Sequence, residues 1–245
     1  MRSGRRGVVT GAASGIGRAT AERLLREDVS VLGVDRDEAG LHAVAEAGAD
    51  VLVADLALPG ERGRVADAAA GADYLVNAAG IIRLKPILEF TVEDWRDVFT
   101  INAESIFFLC QQIGPQLREG GAIVNLSSSS AKLATTTEAC VYAASKATIL
   151  SVTRSFAYAL APRVRVNAIC PGIVDTPMQE KVLDEVAPVR GISREELEEA
   201  RTRTVPLGRS SPAEECAGLI WFMLSDQSAY MTGQAINWTG GMVTW

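Results

Sequence analysis

Tyr142 and Lys146 are the two residues whose types and spacing best suit catalysis. They stand four residues apart in the segment Tyr142-Ala143-Ala144-Ser145-Lys146, so a helix places both side chains on one face. Oxidation of an alcohol requires a base for the hydroxyl proton, and a free tyrosine, with a pKa of about 10, is too weak at neutral pH. A lysine ammonium one turn away favours the phenolate and can also hydrogen-bond a ribose hydroxyl. The pair predicts proton transfer, although this spacing also occurs by chance on many helices.

A run of four serines, Ser127–Ser130, ends a buried apolar segment upstream of this helix. One of these hydroxyls can polarise the oxygen of a substrate. A polar turn at the end of a strand explains the other serines. The run therefore adds a candidate hydrogen-bond donor to the tyrosine and lysine.

Three glycines, Gly11, Gly15 and Gly17, follow the first predicted strand and open the first predicted helix. Glycine at these positions permits a tight turn and lets backbone N–H groups approach a pyrophosphate at the positive end of the helix. The alternative is a tight strand-to-helix turn without a ligand. Asp35, 24 residues after Gly11, favours the nucleotide loop, because an acidic residue there accepts hydrogen bonds from the adenine-ribose hydroxyls of NAD.

The charges around this loop predict NAD rather than NADP as the cofactor. The carboxylate of Asp35 would repel a 2′-phosphate, and Ser14 rather than a basic residue occupies the loop. Arg36 is the feature that could instead support NADP. Asp55, at the end of the third predicted strand, is either part of an adenine pocket or a helix N-cap.

Short apolar runs alternate with helical patterns along the chain, which is typical of βαβ units in a parallel sheet. Right-handed crossovers then predict one doubly wound Rossmann-type α/β domain over residues 1–245, with a seven-stranded parallel sheet and helices on both faces. The predicted strands are Gly7–Thr10, Val29–Val34, Asp50–Ala54, Tyr74–Asn77, Ala122–Leu126, Arg163–Ile169 and Ala235–Trp238. The predicted helices are Ile16–Glu27, Glu38–Ala47, Gly60–Ala70, Val92–Leu117, Val141–Leu160 and Pro212–Leu224.

The segment Asp175–Pro206 interrupts this alternation, since it is rich in charged residues and is bracketed by Pro177 and Pro206. An insertion of this length is either a solvated excursion or a lid over a ligand site. Because open α/β sheets bind ligands at the carboxyl ends of their strands, we expect a substrate lid at about residues 175–206.

Composition and charge argue against several other classes of protein. The net charge of −6 disfavours a nucleic-acid partner, and the basic cluster of Arg2, Arg5 and Arg6 is too short to form a binding patch. The four cysteines contain no CxxC pair, so we expect free thiols in a reducing cytoplasm rather than a metal site or a disulfide framework. We expect neither a membrane span nor a secretory signal, because long apolar runs are lacking.

The ordered set of motifs resembles the one-domain short-chain dehydrogenase/reductase family, from Gly7 to the C-terminus. The resemblance implies that Tyr142 is the general base and that Lys146 orients the nicotinamide ribose and lowers the pKa of the tyrosine. It also implies that Asn102 holds a water in a proton relay and that Thr176 steadies the nicotinamide carboxamide. The matching pieces are TGAASGIG from Thr10, Asp35, Asp55-Leu56, Asn77-Ala78-Ala79-Gly80, Asn102, the serine run, YAASK and Pro171-Gly172 with Thr176.

Alignment onto the family pattern selects Ser128 as the catalytic serine. Ser129 is the alternative, because the spacing from Ser128 to Tyr142 is one residue longer than in many relatives. The implied catalytic set is therefore Asn102, Ser128, Tyr142 and Lys146, although a helix kink is a second explanation for Asn102. The implied cofactor-binding residues, with no metal ligand among them, are Gly11, Ser14, Gly15, Ile16, Gly17, Asp35, Asp55, Leu56, Asn77, Ala78, Gly80, Tyr142, Lys146, Pro171, Gly172, Ile173, Val174 and Thr176.

Local similarities point to several substrates for such an enzyme. The segment around Arg83 is similar to sugar-acid dehydrogenases and to dihydrodiol dehydrogenases of siderophore synthesis, whereas those around Cys140 and Cys170 are similar to 3-hydroxybutyrate dehydrogenases. Four basic residues could bind a substrate carboxylate, namely Arg83, Lys85, Lys132 and Arg190. We therefore expect an NAD-dependent oxidoreductase acting on a polar secondary alcohol, which is a small-molecule sugar acid, polyol or hydroxy acid.

Two further alternatives are a 3-oxoacyl reductase and a sensor that binds NAD without turnover. The presence of Ser128, Tyr142 and Lys146 disfavours the sensor, because such proteins often lack the tyrosine or the lysine. The family resemblance also implies a homotetramer, paired through the predicted helices Val92–Leu117 and Val141–Leu160 and through the last strand.

Overall fold

The buried apolar runs of the sequence form the strands of a single parallel sheet in a computed structural model, which describes residues 4–133 and 136–245. The strands are β1 (Arg6–Thr10), β2 (Ser30–Asp35), β3 (Asp50–Val53), β4 (Tyr74–Asn77), β5 (Gly121–Leu126), β6 (Val164–Pro171) and β9 (Ala235–Trp238). Their order across the sheet is β3-β2-β1-β4-β5-β6-β9, and every neighbouring pair is parallel. The predicted fold class and all seven predicted strands are therefore confirmed.

Helices cover both faces of this sheet, as the two-sided burial of its strands requires. One layer contains α1 (Gly15–Arg26), α2 (Glu38–Glu46) and α9 (Ala213–Leu224), and its apolar core includes Leu24, Leu41 and Ile220. The other layer contains α3 (Pro59–Ala68), α5 (Ser105–Ile113) and α6 (Cys140–Leu160), and its core includes Val65, Leu109 and Ile149.

The chain order changes direction between β1 and β4, which lie side by side with Thr10 opposite Asn77. This is the point at which doubly wound sheets open a crevice for a ligand. The loops after the two strands touch there, since the Thr10 hydroxyl accepts hydrogen bonds from the backbone N–H groups of Ala78 and Ala79, each at 3.2 Å. The sheet therefore brings the glycine loop against the turn that follows β4.

The predicted helix Val92–Leu117 is wrong as one continuous element. The structure has α4 (Val92–Phe99), one turn of π-helix (Thr100–Glu104), α5 and a short 3₁₀ turn (Gly114–Gln116). Asn102 lies in the π turn, where its side chain pairs with the backbone of Ile81. The apolar periodicity continues through this turn, because the interruption is a tertiary contact that a helical pattern does not encode.

The charged segment after β6 folds into two helices, α7 (Pro177–Arg190) and α8 (Arg194–Thr202). It starts beside a small two-stranded sheet of β7 (Val174–Asp175) and β8 (Ser211–Pro212). Thr176 caps α7 through the N–H of Gln179, and a reciprocal Ser193–Glu196 capping box starts α8. The charged segment is thus built of capped helices, and its role as a substrate lid stays a prediction.

The four cysteines form no disulfide within the described residues, and Arg5 makes contacts within the fold. Cys110, Cys140, Cys170 and Cys216 are free thiols, as predicted. Arg5 pairs with Asp226 and donates a hydrogen bond to the Tyr74 hydroxyl, whereas Arg2 lies outside the described residues. Over residues 4–133 and 136–245, the helices are too short or too polar to cross a membrane.

Candidate active site

A cavity of about 510 Å³ opens at the carboxyl ends of the strands, where α7 and α8 lie against the loops of the sheet. It brings together residues that are far apart in the sequence, from the glycine loop to Met242. The predicted site residues that line it are Gly11, Ser14, Gly15, Ile16, Gly17, Asp35, Asp55, Leu56, Ala78, Gly80, Ser128, Tyr142, Lys146, Pro171, Gly172, Ile173, Val174 and Thr176. This arrangement agrees with most of the residue set implied by the family resemblance.

The glycine loop is as tight as its sequence suggests. A Cβ on Gly17 would lie 2.0 Å from the carbonyl oxygen of Gly11, so only glycine fits there. Gly15 has a positive φ of +51°, and Ser14 precedes α1 in an extended conformation. Within the described residues, no side chain caps the first turn of α1, so its backbone N–H groups are left to bind an anion such as a pyrophosphate. The loop therefore fits a dinucleotide.

Asp35 lies next to this loop, at the carboxyl end of β2. Its two carboxylate oxygens accept hydrogen bonds from the backbone N–H groups of Ala13 and Asp37, each at 3.1 Å. A carboxylate has about four acceptor positions, so both oxygens keep capacity for ribose hydroxyls. Arg36 also lines the cavity and is exposed.

Asp55 lines the same part of the cavity, together with Leu56. Its carboxylate accepts a hydrogen bond from the N–H of Ala57 at 2.9 Å and so closes a turn. The N-cap of α3 is Leu58, which makes the alternative of Asp55 as a helix N-cap wrong.

Tyr142 lies in the first turn of α6, and its side chain faces the serines that follow β5. Burial raises the pKa of Tyr142 above its ordinary value, and the Ser128 hydroxyl, its hydrogen-bonding partner, lowers it. Ser128 also accepts a hydrogen bond from the N–H of Ser130 at 3.1 Å, which fixes the position of its hydroxyl. The geometry favours Ser128 over Ser129, although both line the cavity.

Lys146 lies one turn further along α6 and is buried. Its Nζ donates a hydrogen bond to the carbonyl oxygen of Leu126 at 2.8 Å and lies 5.7 Å from the centre of the Tyr142 ring. Burial lowers the pKa of Lys146 to about 8, while Cys170 acts in the opposite direction. The Ser128 hydroxyl thus lowers the pKa of Tyr142, and the lowering by Lys146 that the resemblance implies stays a prediction.

Asn102 lies behind the cavity and is fully buried. Its Oδ1 accepts from the N–H of Ile81 at 2.8 Å, and its Nδ2 donates to the carbonyl oxygen of Ile81 and to Ser145 Oγ. The helix interruption expected at Asn102 is confirmed, and its role in holding a water of a proton relay stays a prediction. A Cβ on Gly80 would lie 3.3 Å from both Asn102 Oδ1 and Lys146 Nζ.

Asn77 is the predicted cofactor-binding residue that does not line the cavity. Its Nδ2 donates to Asn125 Oδ1 at 2.8 Å, across the boundary between β4 and β5, and lies 3.4 Å from the sulfur of Cys110. The predicted role of Asn77 in cofactor binding stays a prediction, since its side-chain amide is engaged with Asn125. The residue links two strands beneath the site.

The loop after β6 forms the opposite wall. A Cβ on Gly172 would lie 3.1 Å from the Cα of Thr239, so the chain passes close to the C-terminal segment. A Cβ on Gly15 would lie 3.1 Å from the side chain of Thr176, which places the glycine loop and Thr176 on facing sides of the same cleft. Thr176 is thus positioned between the dinucleotide loop and α7.

Sequence reasoning missed most of the residues that α7 and α8 contribute to the cavity. An apolar group formed by Val182, Leu197 and Ile82 packs together with Tyr142, and Met178 lies beside it. Two polar residues, Gln179 and Arg201, also line the wall. A helical apolar spacing within α7 and the Ser193–Glu196 capping-box pattern were signals that could have revealed this surface.

The structure does not support three of the four basic residues that were candidates for a substrate carboxylate. Arg83 pairs with Asp97, Lys85 pairs with Asp94, and Lys132 donates to Asn237 Oδ1, all outside the cavity lining. Arg190 lines the cavity, but Glu138 engages it through two hydrogen bonds of 2.8 Å. Hydrogen bonds from Arg190 lower the pKa of Glu138 to about 2.

Metal chemistry has no visible donor set in the part of the chain that the structure describes, where His, Cys, Asp and Glu form no group of three or more suited to an ion.

Comparisons with known proteins cover nearly the whole chain. The family model described as Enoyl-(Acyl carrier protein) reductase matches residues 11–243. The chain is 35% identical to the 3-oxoacyl-[acyl-carrier-protein] reductase of Thermotoga maritima, with 96% of each protein covered. It is 33% identical to the L-2,3-butanediol dehydrogenase of Corynebacterium glutamicum, over 96% of this chain and 97% of that one. A crystal structure of an actinorhodin polyketide ketoreductase variant with NADPH matches with 31% identity and a TM-score of 0.92, covering 100% of this chain and 99% of the other.

Proposed function

Because the chain belongs to the short-chain dehydrogenase/reductase family, we propose that it is an NAD-dependent oxidoreductase that interconverts a polar secondary alcohol and its ketone. The observation that carries this proposal is the convergence of Ser128, Tyr142 and Lys146 on one cavity with an uncapped glycine loop. A bound nicotinamide would supply the hydride acceptor or donor for the carbon. The protein residues would then have to move the hydroxyl proton and orient the oxygen.

In this mechanism Tyr142 exchanges a proton with the substrate oxygen. Ser128 holds that oxygen and, as a hydrogen-bonding partner of the phenol, lowers the pKa of Tyr142. Lys146 lies one turn away, and its positive charge favours the phenolate at pH values below its own pKa of about 8. Asn102 supports this arrangement by holding the backbone of Ile81 at the edge of the cavity.

Four features of the cavity would hold the cofactor. The uncapped first turn of α1 binds the pyrophosphate, Asp35 binds the adenine ribose, and Lys146 binds the nicotinamide ribose. The segment from Pro171 to Thr176 borders the nicotinamide end. Asp35 favours NAD over NADP because its negative charge opposes the 2′-phosphate of NADP.

The substrate class and the setting follow from the same features. We propose a small sugar acid, polyol or hydroxy acid as substrate, with a lid formed by α7 and α8. The relative acting on 3-oxoacyl groups supports a 3-oxoacyl compound as the second candidate. We also propose a homotetramer in the cytoplasm. Exposed aromatic residues on the helices expected to pair, Phe107 and Tyr158, support that assembly.

The experiment is turnover by the purified protein with NAD⁺ and NADP⁺ across sugar acids, polyols, 3-hydroxybutyrate, cyclic diols and, in reverse, 3-oxoacyl thioesters. Tyr142→Phe removes the proton-transferring hydroxyl while keeping the ring, so turnover should fall by about 10³-fold or more with NADH affinity unchanged. Tyr230→Phe, which changes a fully exposed tyrosine outside the cavity and the expected interface helices, is the matched control. Absence of turnover by the wild-type protein across the panel, with tight NADH binding, would favour the sensor.

A further inference from the structure

Arg201 is a cavity-lining arginine of α8 that no carboxylate among the described residues pairs with. Its Nη2 donates one hydrogen bond, to Gln179 Oε1 at 2.9 Å. Its Nε is buried and finds no hydrogen-bond partner among the residues that the structure describes. A buried donor without a partner is costly, which indicates that something outside the chain completes this site.

The neighbouring charges support this interpretation. Over residues 4–133 and 136–245, Arg201 forms no ion pair with a carboxylate, whereas the arginine of α7 and the neighbouring arginines at both ends of α8 do. Arg190 has Glu138, Arg194 has Glu180 and Asp184, and Arg203 has Glu199.

The Arg190–Glu138 pair has no net charge, so it does not compensate the charge of Arg201. Burial lowers the pKa of Arg201, and the charge of Arg190 lowers it further. An anion entering the cavity would relieve both effects, because it would replace lost solvation and oppose the repulsion between the two guanidinium groups.

We propose that Arg201 binds a carboxylate of the substrate, so that the alcohols and ketones taken by this enzyme are hydroxy acids and oxo acids. This inference rests on the proposed oxidoreductase function and narrows its substrate class. A guanidinium presents N–H groups in a planar fork that matches a carboxylate, and Nε with one Nη forms one side of that fork. Gln179 orients the group by accepting from Nη2.

The apolar wall between Arg201 and the tyrosine is consistent with such a substrate. Val182 and Leu197 belong to the same apolar cluster as Tyr142, and both line the cavity. A short aliphatic chain can lie along this surface, with its oxygen-bearing carbon at Tyr142 and its carboxylate at Arg201. A polyol would place hydroxyl groups against the apolar wall without satisfying the guanidinium.

The test compares Arg201→Gln with Arg203→Gln, which changes an exposed arginine that directly follows α8 and already pairs with Glu199. Each variant is assayed with a panel of short hydroxy acids, including 3-hydroxybutyrate, and with their methyl esters. Binding of the corresponding oxo acids and oxo esters to NAD⁺-loaded protein, a pair between which no hydride can be transferred, is measured by calorimetry. Calorimetry reports on the anion site whether or not turnover occurs.

We expect the wild-type protein to bind at least one acid more tightly than its ester. Arg201→Gln should raise KM and Kd for that acid by about 50-fold while changing both for the ester by less than about two-fold. Arg203→Gln should match the wild type. The proposal is overturned if the wild type never prefers an acid, if acid and ester weaken equally in Arg201→Gln, or if only the NADH affinity changes. If acids bind through Arg201 but none is turned over, the anion site stands and the proposed function fails.

Discussion

The two walls of the cavity are built in different ways. On the dinucleotide side, close backbone approaches determine the shape, since Gly11, Gly15 and Gly17 leave no space for a side chain or require a positive φ. On the side of α7 and α8, side chains determine the shape, through an apolar cluster and a set of arginine–carboxylate pairs. The first wall therefore recognises a chemical group common to many cofactors, and the second can vary with the substrate.

This difference explains why one wall suits prediction from sequence and the other does not. Where two backbone segments approach too closely for a side chain, only glycine fits. A short local motif of glycines therefore reveals this constraint. A wall made of side chains depends on which distant residues they meet. The role of a charged side chain in this wall can be inferred only when its ion-pair partner is known.

The largest effect is expected at Gly17, which belongs to the dinucleotide wall. Gly17→Ala would place a methyl group 2.0 Å from the Gly11 carbonyl oxygen, so the loop must shift. We expect NADH affinity to fall by about 100-fold and the free energy of unfolding by roughly 3 kcal/mol. Calorimetric binding and urea denaturation measure the two quantities.

Gly63→Ala is the matched control for that variant. Gly63 lies inside α3, and a Cβ there would meet no atom within 4 Å. Because alanine is the better helix former, this change should stabilise the protein by about 0.5–1 kcal/mol and leave NADH binding unaltered. Equal behaviour of the two variants would refute a wall defined by backbone approach.

The sequence was sufficient for the sheet and most of the dinucleotide wall, because apolar strands and glycine spacing are local signals. It was insufficient where the conformation or burial of a residue depends on a partner far away in the sequence. The π turn at Asn102 arises from a contact with Ile81, and the burial of Asn77 arises from Asn125, 48 residues away. Arg201 looked like one more charge in a charged segment, since only the fold shows that its neighbours are paired with other residues.

The intermediate effect is expected at Asp35, whose side chain forms part of the dinucleotide wall. Asp35→Ala removes the carboxylate that opposes a 2′-phosphate, so affinity for NAD should fall and affinity for NADP should rise, each by about 10-fold. The measurement is the ratio of kcat/KM for the two cofactors. Adding Arg36→Gln should cancel the gain for NADP, because Arg36 is the cation left beside the ribose site. An unchanged ratio in Asp35→Ala would remove Asp35 from the ribose site.

The smallest expected effect tests the side-chain wall through the Arg190–Glu138 pair, which joins the end of α7 to the segment that precedes α6. Because the pKa of Glu138 is lowered from 4.5 to about 2, the ionised pair stabilises the folded protein fully above about pH 4.5, and this stabilisation is lost as the pH falls toward 2. Glu138→Gln should therefore lower the free energy of unfolding by about 1–2 kcal/mol at pH 7 and pH 5, and by less at pH 3.5.

Glu138→Gln also tests whether the two walls act independently of each other. Since Glu138 lies on the side of α7 and α8, its loss should raise KM for the substrate while leaving NADH affinity as it is. Urea denaturation across the three pH values and NADH titration of Glu138→Gln check both points. A pH-independent destabilisation would mean that the carboxylate charge has no part in holding α7, and a parallel loss of NADH affinity would mean that the walls are coupled. In that case the side-chain wall would not be free to vary with the substrate independently of the cofactor.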